Sequence, residues 1–294
     1  MMNESPILVQ NVSRSFDGPP VVKNLSFSIK PGSIYGFLGR NGSCKTTTLR
    51  MLAGLIKPHA GEVRVMGNDP FTIGATERQW LGYMSEKAMI PGFTHVRSVL
   101  KLGRELYPAW DSALAESLLA KYDLSPRKRF MSLSQGQQRL LGFIMAIASR
   151  PKVLLLDEPA ANLDVVARRE ILDDILQLIR ECGCTVLFST HILSDVERVA
   201  DEIGILAHGN LRVSETLDSL KDSIRQVRFF DFGNGSLPAD IPESFRTVRG
   251  KGEVTMTLRT NALTTPETLA QRWSCQQETR ALSLEDIFVE LSRN

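Results

Sequence analysis

From Gly39 to Thr46 the chain reads Gly-Arg-Asn-Gly-Ser-Cys-Lys-Thr. This is close to a phosphate-binding pattern of one glycine, four residues, then Gly-Lys-Thr. Such a loop holds phosphate because its glycines let backbone N–H groups turn inward, while the following helix presents the positive end of its dipole. The candidate nucleotide-binding residues are Gly39, Arg40, Asn41, Gly42, Ser43, Cys44, Lys45, Thr46 and Thr47. Lys45 is expected to reach the β- and γ-phosphates, and the Thr46 hydroxyl to ligate Mg²⁺. A second cluster, Asp157-Glu158, follows the apolar run Val153–Leu156. Asp157 suits the shell of the same metal ion and Glu158 suits polarising an attacking water.

Cys44 stands where the pattern has glycine. A side chain there must fit close to phosphate, and a positive φ would be costly. Three readings follow. The loop tolerates a small residue and works normally, or nucleotide binding is weakened. In the third, a thiol beside Lys45 at a helix N-terminus has a lowered pKa and is oxidisable.

Several elements must position these residues. Ile34–Leu38 is a short apolar strand ending at a glycine, and Thr46–Leu55 has helical spacing. Strand, glycine loop and helix in that order are the context a phosphate loop needs. Ile7–Val12 and Leu25–Ile29 alternate as half-buried antiparallel strands, with Pro31-Gly32 as the turn that follows. Val153–Leu156 and Thr185–Thr190 read as strands, and Val166–Glu181 and Leu193–Ala200 as helices, which predicts a largely parallel sheet covered on both faces. Between about 87 and 150 the pattern is mainly helical and forms an inserted subdomain. From residue 219, Gln226–Phe232, Phe245–Val248 and Glu253–Leu258 read as short strands, and Pro266–Arg272 and Ser283–Leu291 as helices. The predicted fold is thus α/β: a phosphate-loop core with an N-terminal antiparallel part and a helical insertion over 1–218, and a small α+β appendage over 219–294.

Composition narrows the function classes. With 35 Lys and Arg against 33 Asp and Glu, net charge is +2, and residues 221–294 carry ten of each sign. No strong field draws the chain to nucleic acid. No apolar run approaches the roughly 20 residues of a membrane span, and Met-Met-Asn-Glu-Ser-Pro lacks the character of a signal peptide. The four cysteines do not make a disulfide framework, and Cys182-Gly-Cys184 reads as a helix stop rather than a metal pair. A reduced, cytosolic setting is expected.

Three further segments carry a resemblance. Leu133-Ser-Gln-Gly-Gln137, followed by Gln-Arg, matches the signature sequence of ATP-binding cassette (ABC) proteins. Pro159-Ala-Ala-Asn-Leu-Asp164 resembles that family's loop after the acidic pair, and Phe188-Ser-Thr-His191 resembles its switch histidine. Together with the phosphate loop and the acidic pair, these cover about Pro6 to Asp218 in family order. The resemblance implies an ATP- and Mg²⁺-dependent ATPase in which two nucleotides are sandwiched between two cassettes. It assigns adenine stacking to Phe16, places the signature residues Ser134, Gln135, Gly136 and Gln137 across the dimer, and gives γ-phosphate contact there to Ser134 and Gly136. Glu158 and His191 become catalytic, and Asp164 communicates between protomers. Glu86 replaces a more common glutamine on a loop that contacts Mg²⁺ and the membrane partner, as in the branch serving multidrug and antibiotic export. Ser283–Leu291 is similar to the closing helix of that branch.

The function so implied is the ATPase subunit of an export-type ABC transporter. It would sit at the cytoplasmic face of the membrane on a separate permease and pair with a second copy or a related subunit. Two alternatives differ from it. A soluble cassette ATPase acting on ribosomes or DNA usually has two cassettes or a long coiled coil, which this sequence lacks. A hydrolysis-impaired regulatory subunit is suggested by Cys44 and opposed by Glu158 and His191.

Overall fold

The computed structural model describes residues 5–87, 90–233 and 238–292, so the first four residues of the N-terminal segment lie outside it. The chain divides into two compact units, 1–214 and 215–294, four residues before the division expected after residue 218.

The first unit contains two sheets. Strands β1 (Ile7–Arg14), β2 (Val22–Ile29) and β4 (Ala60–Val65) form a three-stranded antiparallel sheet in the order β2-β1-β4. Val22, Leu25, Phe27 and Ile29 are buried on β2 with exposed residues between them, the alternation of a strand wet on one face. The larger sheet takes β3 (Ile34–Gly39), β5 (Leu81–Met84), β6 (Val153–Asp157), β7 (Thr185–Thr190), β8 (Glu202–Ala207) and β9 (Asn210–Thr216) in the order β5-β6-β7-β3-β8-β9. The first five strands in that order pair in parallel. Every residue of β3, β6, β7 and β8 is buried, as strands covered on both faces require. β8 and β9 are joined by His208-Gly209, both at positive φ, the conformation a two-residue hairpin loop needs.

Helices α1 (Lys45–Leu52), a single turn α2 (Ala75–Arg78), α6 (Val165–Cys182) and α7 (Leu193–Val199) accompany the strands. Between β5 and β6 lie α3 (Val96–Leu106), α4 (Ser112–Lys121) and α5 (Gln135–Ala148), so the segment between those strands is helical. Gly183 closes α6 at φ 62°, and Cys184 is buried at the start of the next strand. Burial pushes its thiol up to about 12, so the Cys182-Gly-Cys184 pair is a helix stop. Among the described residues no cluster of potential metal-binding side chains is found, and no helix is long and apolar enough to cross a membrane.

Asp111 caps α4: its Oδ1 accepts from Leu114 N–H at 2.8 Å, and its Oδ2 accepts from Arg150 Nε and Nη2 at 3.0 and 2.7 Å. The Leu114 N–H first, and then Arg150, lower its pKa. A depressed native pKa means the stabilisation is complete above the ordinary aspartate range and is lost as pH falls through the native pKa. Asp111→Ala is therefore expected to cost about 1–2 kcal/mol at neutral pH. The gap in Tm between variant and parent should stay constant from about pH 8 to 5 and narrow only below about pH 4. A gap that closes between pH 8 and 6 would contradict the assignment.

The second unit holds α8 (Leu217–Ser223), β10 (Ile224–Phe230), β11 (Ser244–Arg249), β12 (Glu253–Arg259), α9 (Pro266–Trp273), β13 (Gln276–Ala281) and α10 (Leu284–Ser292). Its sheet is antiparallel in the order β11-β12-β10-β13. Val227, Phe229, Val254, Met256 and Leu258 form one apolar face on which Leu269 and Ala270 of α9 pack. Trp273 sets its ring edge-on to Phe229 at 4.9 Å. Thr265 and Thr268 form a capping box and Pro266 occupies the first turn, which is why α9 starts where it does.

Candidate functional site

The loop after β3 is shaped by two glycines. Gly42 has φ 80°, and a Cβ on Gly39 would collide with Ser43 Oγ and lie 2.9 Å from the Leu206 carbonyl. Cys44 also adopts a left-handed conformation, φ 78°, as the N-cap of α1. That geometry costs a non-glycine residue roughly 1–2 kcal/mol. The side chain is nonetheless buried, within a core cluster that includes Phe37, Leu49 and Leu52. Burial pushes the thiol up to about 11, and Thr48, Lys45 and Lys23 only partly offset it. The structure thus reverses the lowered-pKa reading of Cys44: the thiol's enclosure outweighs the helix terminus and the lysines.

Relief of positive φ and loss of thiol burial are each worth about 1 kcal/mol and oppose one another. Cys44→Gly is accordingly expected to leave Tm nearly unchanged and the Kd for ATP within about twofold, as read by calorimetry and thermal melts. A tenfold tighter Kd would mean that the parent loop is held away from its binding shape.

Lys45 heads α1 and is almost fully buried. Its Nζ donates to the Gly39 carbonyl at 2.6 Å and lies 3.4 Å from Glu158 Oε1. Glu158, one residue beyond β6, turns its other oxygen toward His191, whose Nδ1 is 2.9 Å from Oε2. A buried carboxylate is therefore bracketed by the loop lysine and the histidine that follows β7. Glu158 has φ 51°; its N–H donates to the carbonyl and Oγ of Ser189 at 3.2 and 3.0 Å.

Asp157 is fully buried. Its Oδ1 accepts from Thr46 Oγ1 at 3.1 Å and from Ser189 Oγ at 2.7 Å, whereas Oδ2 is buried with no hydrogen-bond partner. Burial raises its pKa, against those two hydroxyls, and the carboxylates of Glu86 and Glu158 raise it further. Glu86 itself is exposed, just beyond β5.

A cavity of about 630 Å³ is lined by Phe16, Lys45, Thr46, Glu86, Glu158 and His191, and the fully buried Asp157 reaches it only through its bond to Thr46. Phe16 is half exposed, with the Arg14 guanidinium 5.0 Å from its ring centroid. The cavity pairs a phosphate cradle with a carboxylate that can take a proton from water and with hard oxygen donors for a divalent cation.

The signature residues are not brought to this cavity. Ser134, Gln135, Gly136, Gln137 and Asp164 line a separate one. Ser134 caps α5, its Oγ accepting from Gln137 N–H at 3.1 Å while Gln137 Oε1 accepts from Ser134 N–H at 3.3 Å. Asp164 caps α6, accepting from Val166 and Ala167 N–H at 2.8 and 2.9 Å. Sequence reasoning left two residues of the site without a role. Ser189 holds both acidic residues, and Arg139 Nη1 donates to the Glu158 carbonyl at 2.7 Å. Both fall inside motifs already singled out, which was the only signal available.

A family model described as "ABC transporter" matches residues 22–161. The bacitracin transport ATP-binding protein BcrA of Bacillus licheniformis is 31% identical over 78% of this chain and 75% of its own length. The daunorubicin/doxorubicin resistance ATP-binding protein DrrA of Streptomyces peucetius is 32% identical over 76% of this chain and 70% of its own. A solved dimeric ATP-binding cassette, in a post-hydrolysis state bound to ADP and Pi, aligns with a TM-score of 0.65 at 24% identity, covering 72% of this chain and 98% of that one.

Proposed function

This chain belongs to the ABC transporter family as an ATP-binding, ATP-hydrolysing subunit that energises a membrane transporter, and from that premise we propose how its own residues divide the work. ATP lays its phosphates along Gly39–Thr47, and Lys45 exchanges the Gly39 carbonyl for the β- and γ-phosphates. The adenine rests on Phe16. Glu158 orients the attacking water and takes its proton, while His191 keeps the Glu158 carboxylate aimed. One observation carries this reading: Lys45 and His191 converge on the two oxygens of a single buried carboxylate, at 3.4 and 2.9 Å.

Mg²⁺ accompanies the nucleotide in this reading, and the donor set fits it. Asp157 Oδ2 is buried and unpartnered, Oδ1 lies beside the Thr46 hydroxyl, and burial penalises the ionised carboxylate until a cation arrives. Thr46 and Asp157 would hold the ion, with Glu86 at the edge of the same cavity. When bound, it neutralises charge on the phosphates.

The signature residues Ser134–Gln137 open onto a different cavity from Lys45, which supports a sandwich in which a second cassette supplies them to this chain's ATP. Asp164, beside them, would then meet the partner. The partner cassette is a second copy or a related chain, and the work is delivered to a separate membrane permease on whose cytoplasmic face this subunit sits. Bacitracin transport and daunorubicin/doxorubicin resistance in the relatives support export as the direction.

Phosphate release from MgATP, measured across protein concentrations, tests the scheme. Specific activity is expected to rise with concentration until the pair is saturated. ATP binding with no turnover at any concentration would leave the regulatory alternative instead.

A further inference from the structure

We infer that Arg139 is a positioning residue for Glu158, holding its peptide in the strained conformation that aims the carboxylate and thereby tying the helix of the signature motif to the catalytic group of the same chain. The inference rests on the reading of Glu158 as the base. Glu158 departs from β6 with φ 51°, a conformation that persists only where neighbours over-determine it. Its N–H is fixed by Ser189 on β7. Its carbonyl accepts from Ala161 N–H at 3.2 Å, closing a turn, and from Arg139 Nη1 at 2.7 Å. Only the second bond is charge-assisted, and only the second comes from outside the segment.

Arg139 lies on α5, three residues beyond Gly136. It is half-buried, and it lines both the nucleotide cavity and a neighbouring one walled by Val99, Leu102 and Gly142. Its guanidinium therefore stands in the partition between α5 and the acidic residues. Because the bond is to the peptide carbonyl, it acts on the backbone torsions that decide where the carboxylate points. Without it the Glu158 peptide is free to relax toward ordinary φ, and Oε1 and Oε2 leave Lys45 and His191. Binding of the phosphates, which depends on Gly39–Thr47, would be left as it was.

The test uses the full chain, comparing Arg139→Gln, Arg139→Lys, Glu158→Gln and the double variant Arg139→Gln/Glu158→Gln. Steady-state and single-turnover hydrolysis, the KM for MgATP and the equilibrium Kd for ATP are measured on each. Arg139→Gln is expected to lower kcat by roughly 10- to 30-fold, the value of one charge-assisted hydrogen bond, with KM and Kd within about twofold. Arg139→Lys, which keeps a charged donor, should recover most of that loss. Adding Arg139→Gln to Glu158→Gln should slow hydrolysis no further, since the group being positioned is already gone. If Arg139→Gln does not fold, Arg139→Met keeps the side-chain stem and carries the same expectation. Unchanged kcat, a Kd that rises in step with the fall in kcat, or full additivity in the double variant would overturn the inference. A parent-like rate in Glu158→Gln alone would instead remove the reading of Glu158 on which it rests.

Discussion

Glu158→Gln is expected to reduce ATP hydrolysis by roughly 100- to 1000-fold while ATP still binds, the range set by removing a positioned general base. The substitution preserves the side chain's length and leaves an amide oxygen to face Lys45, so the loop from Gly39 to Thr47 keeps its shape. It removes the one carboxylate that the cavity holds between Lys45 and His191. The contrast between turnover and binding is the informative quantity: phosphate release should collapse while the Kd for ATP moves by less than about threefold. A variant that turns over at more than a tenth of the parental rate would assign the proton transfer elsewhere.

Lys45→Met should act on the other half of that contrast. Lys45 is 5% exposed, and among the described residues its polar partners at close range are the Gly39 and Arg40 carbonyls and Glu158. Charge-assisted hydrogen bonds to phosphate contribute about 1.5–3 kcal/mol each. Losing them is expected to weaken ATP binding by roughly 100-fold, or about 2.7 kcal/mol. The nucleotide-free protein should also melt at lower temperature, because the mutation leaves Glu158 buried without its cation. ATP affinity within about threefold of the parent, by calorimetry, would show that the backbone cradle alone holds the phosphates.

The phosphate loop, the acidic pair and the histidine were legible because each is a short run fixed by local geometry: a glycine turn, a strand end, a helix start. The alternation in β2 and the apolar runs of β3, β6 and β7 identified the sheets for the same reason. Strands β5, β8 and β9 were not read, and neither were two that lack such a pattern. β4, Ala-Gly-Glu-Val-Arg-Val, is exposed over its first half, and β13, Gln-Gln-Glu-Thr-Arg-Ala, carries no large apolar side chain and lies at a sheet edge. Their pairing partners, rather than their own residues, make them strands. The contacts of Arg139 and Ser189 were hidden for a related reason. Each joins positions 19 or more residues apart, and nothing in either residue's own neighbourhood announces its partner. Of the three readings of Cys44, the lowered-pKa one fails because a helix terminus can be read from sequence, whereas the burial that overrides it cannot.

Cys44 also gives this loop a chemical clock. Alkylating reagents attack the thiolate, which the buried side chain rarely exposes and, at about 11, rarely forms at neutral pH. Cys182 is exposed and Cys275 partly so, so both are labelled on contact with solvent. Cys184 is buried too and is expected to react slowly, so the slow phase that lengthens under ATP is the one expected at Cys44, and it would count how often the phosphate loop comes open.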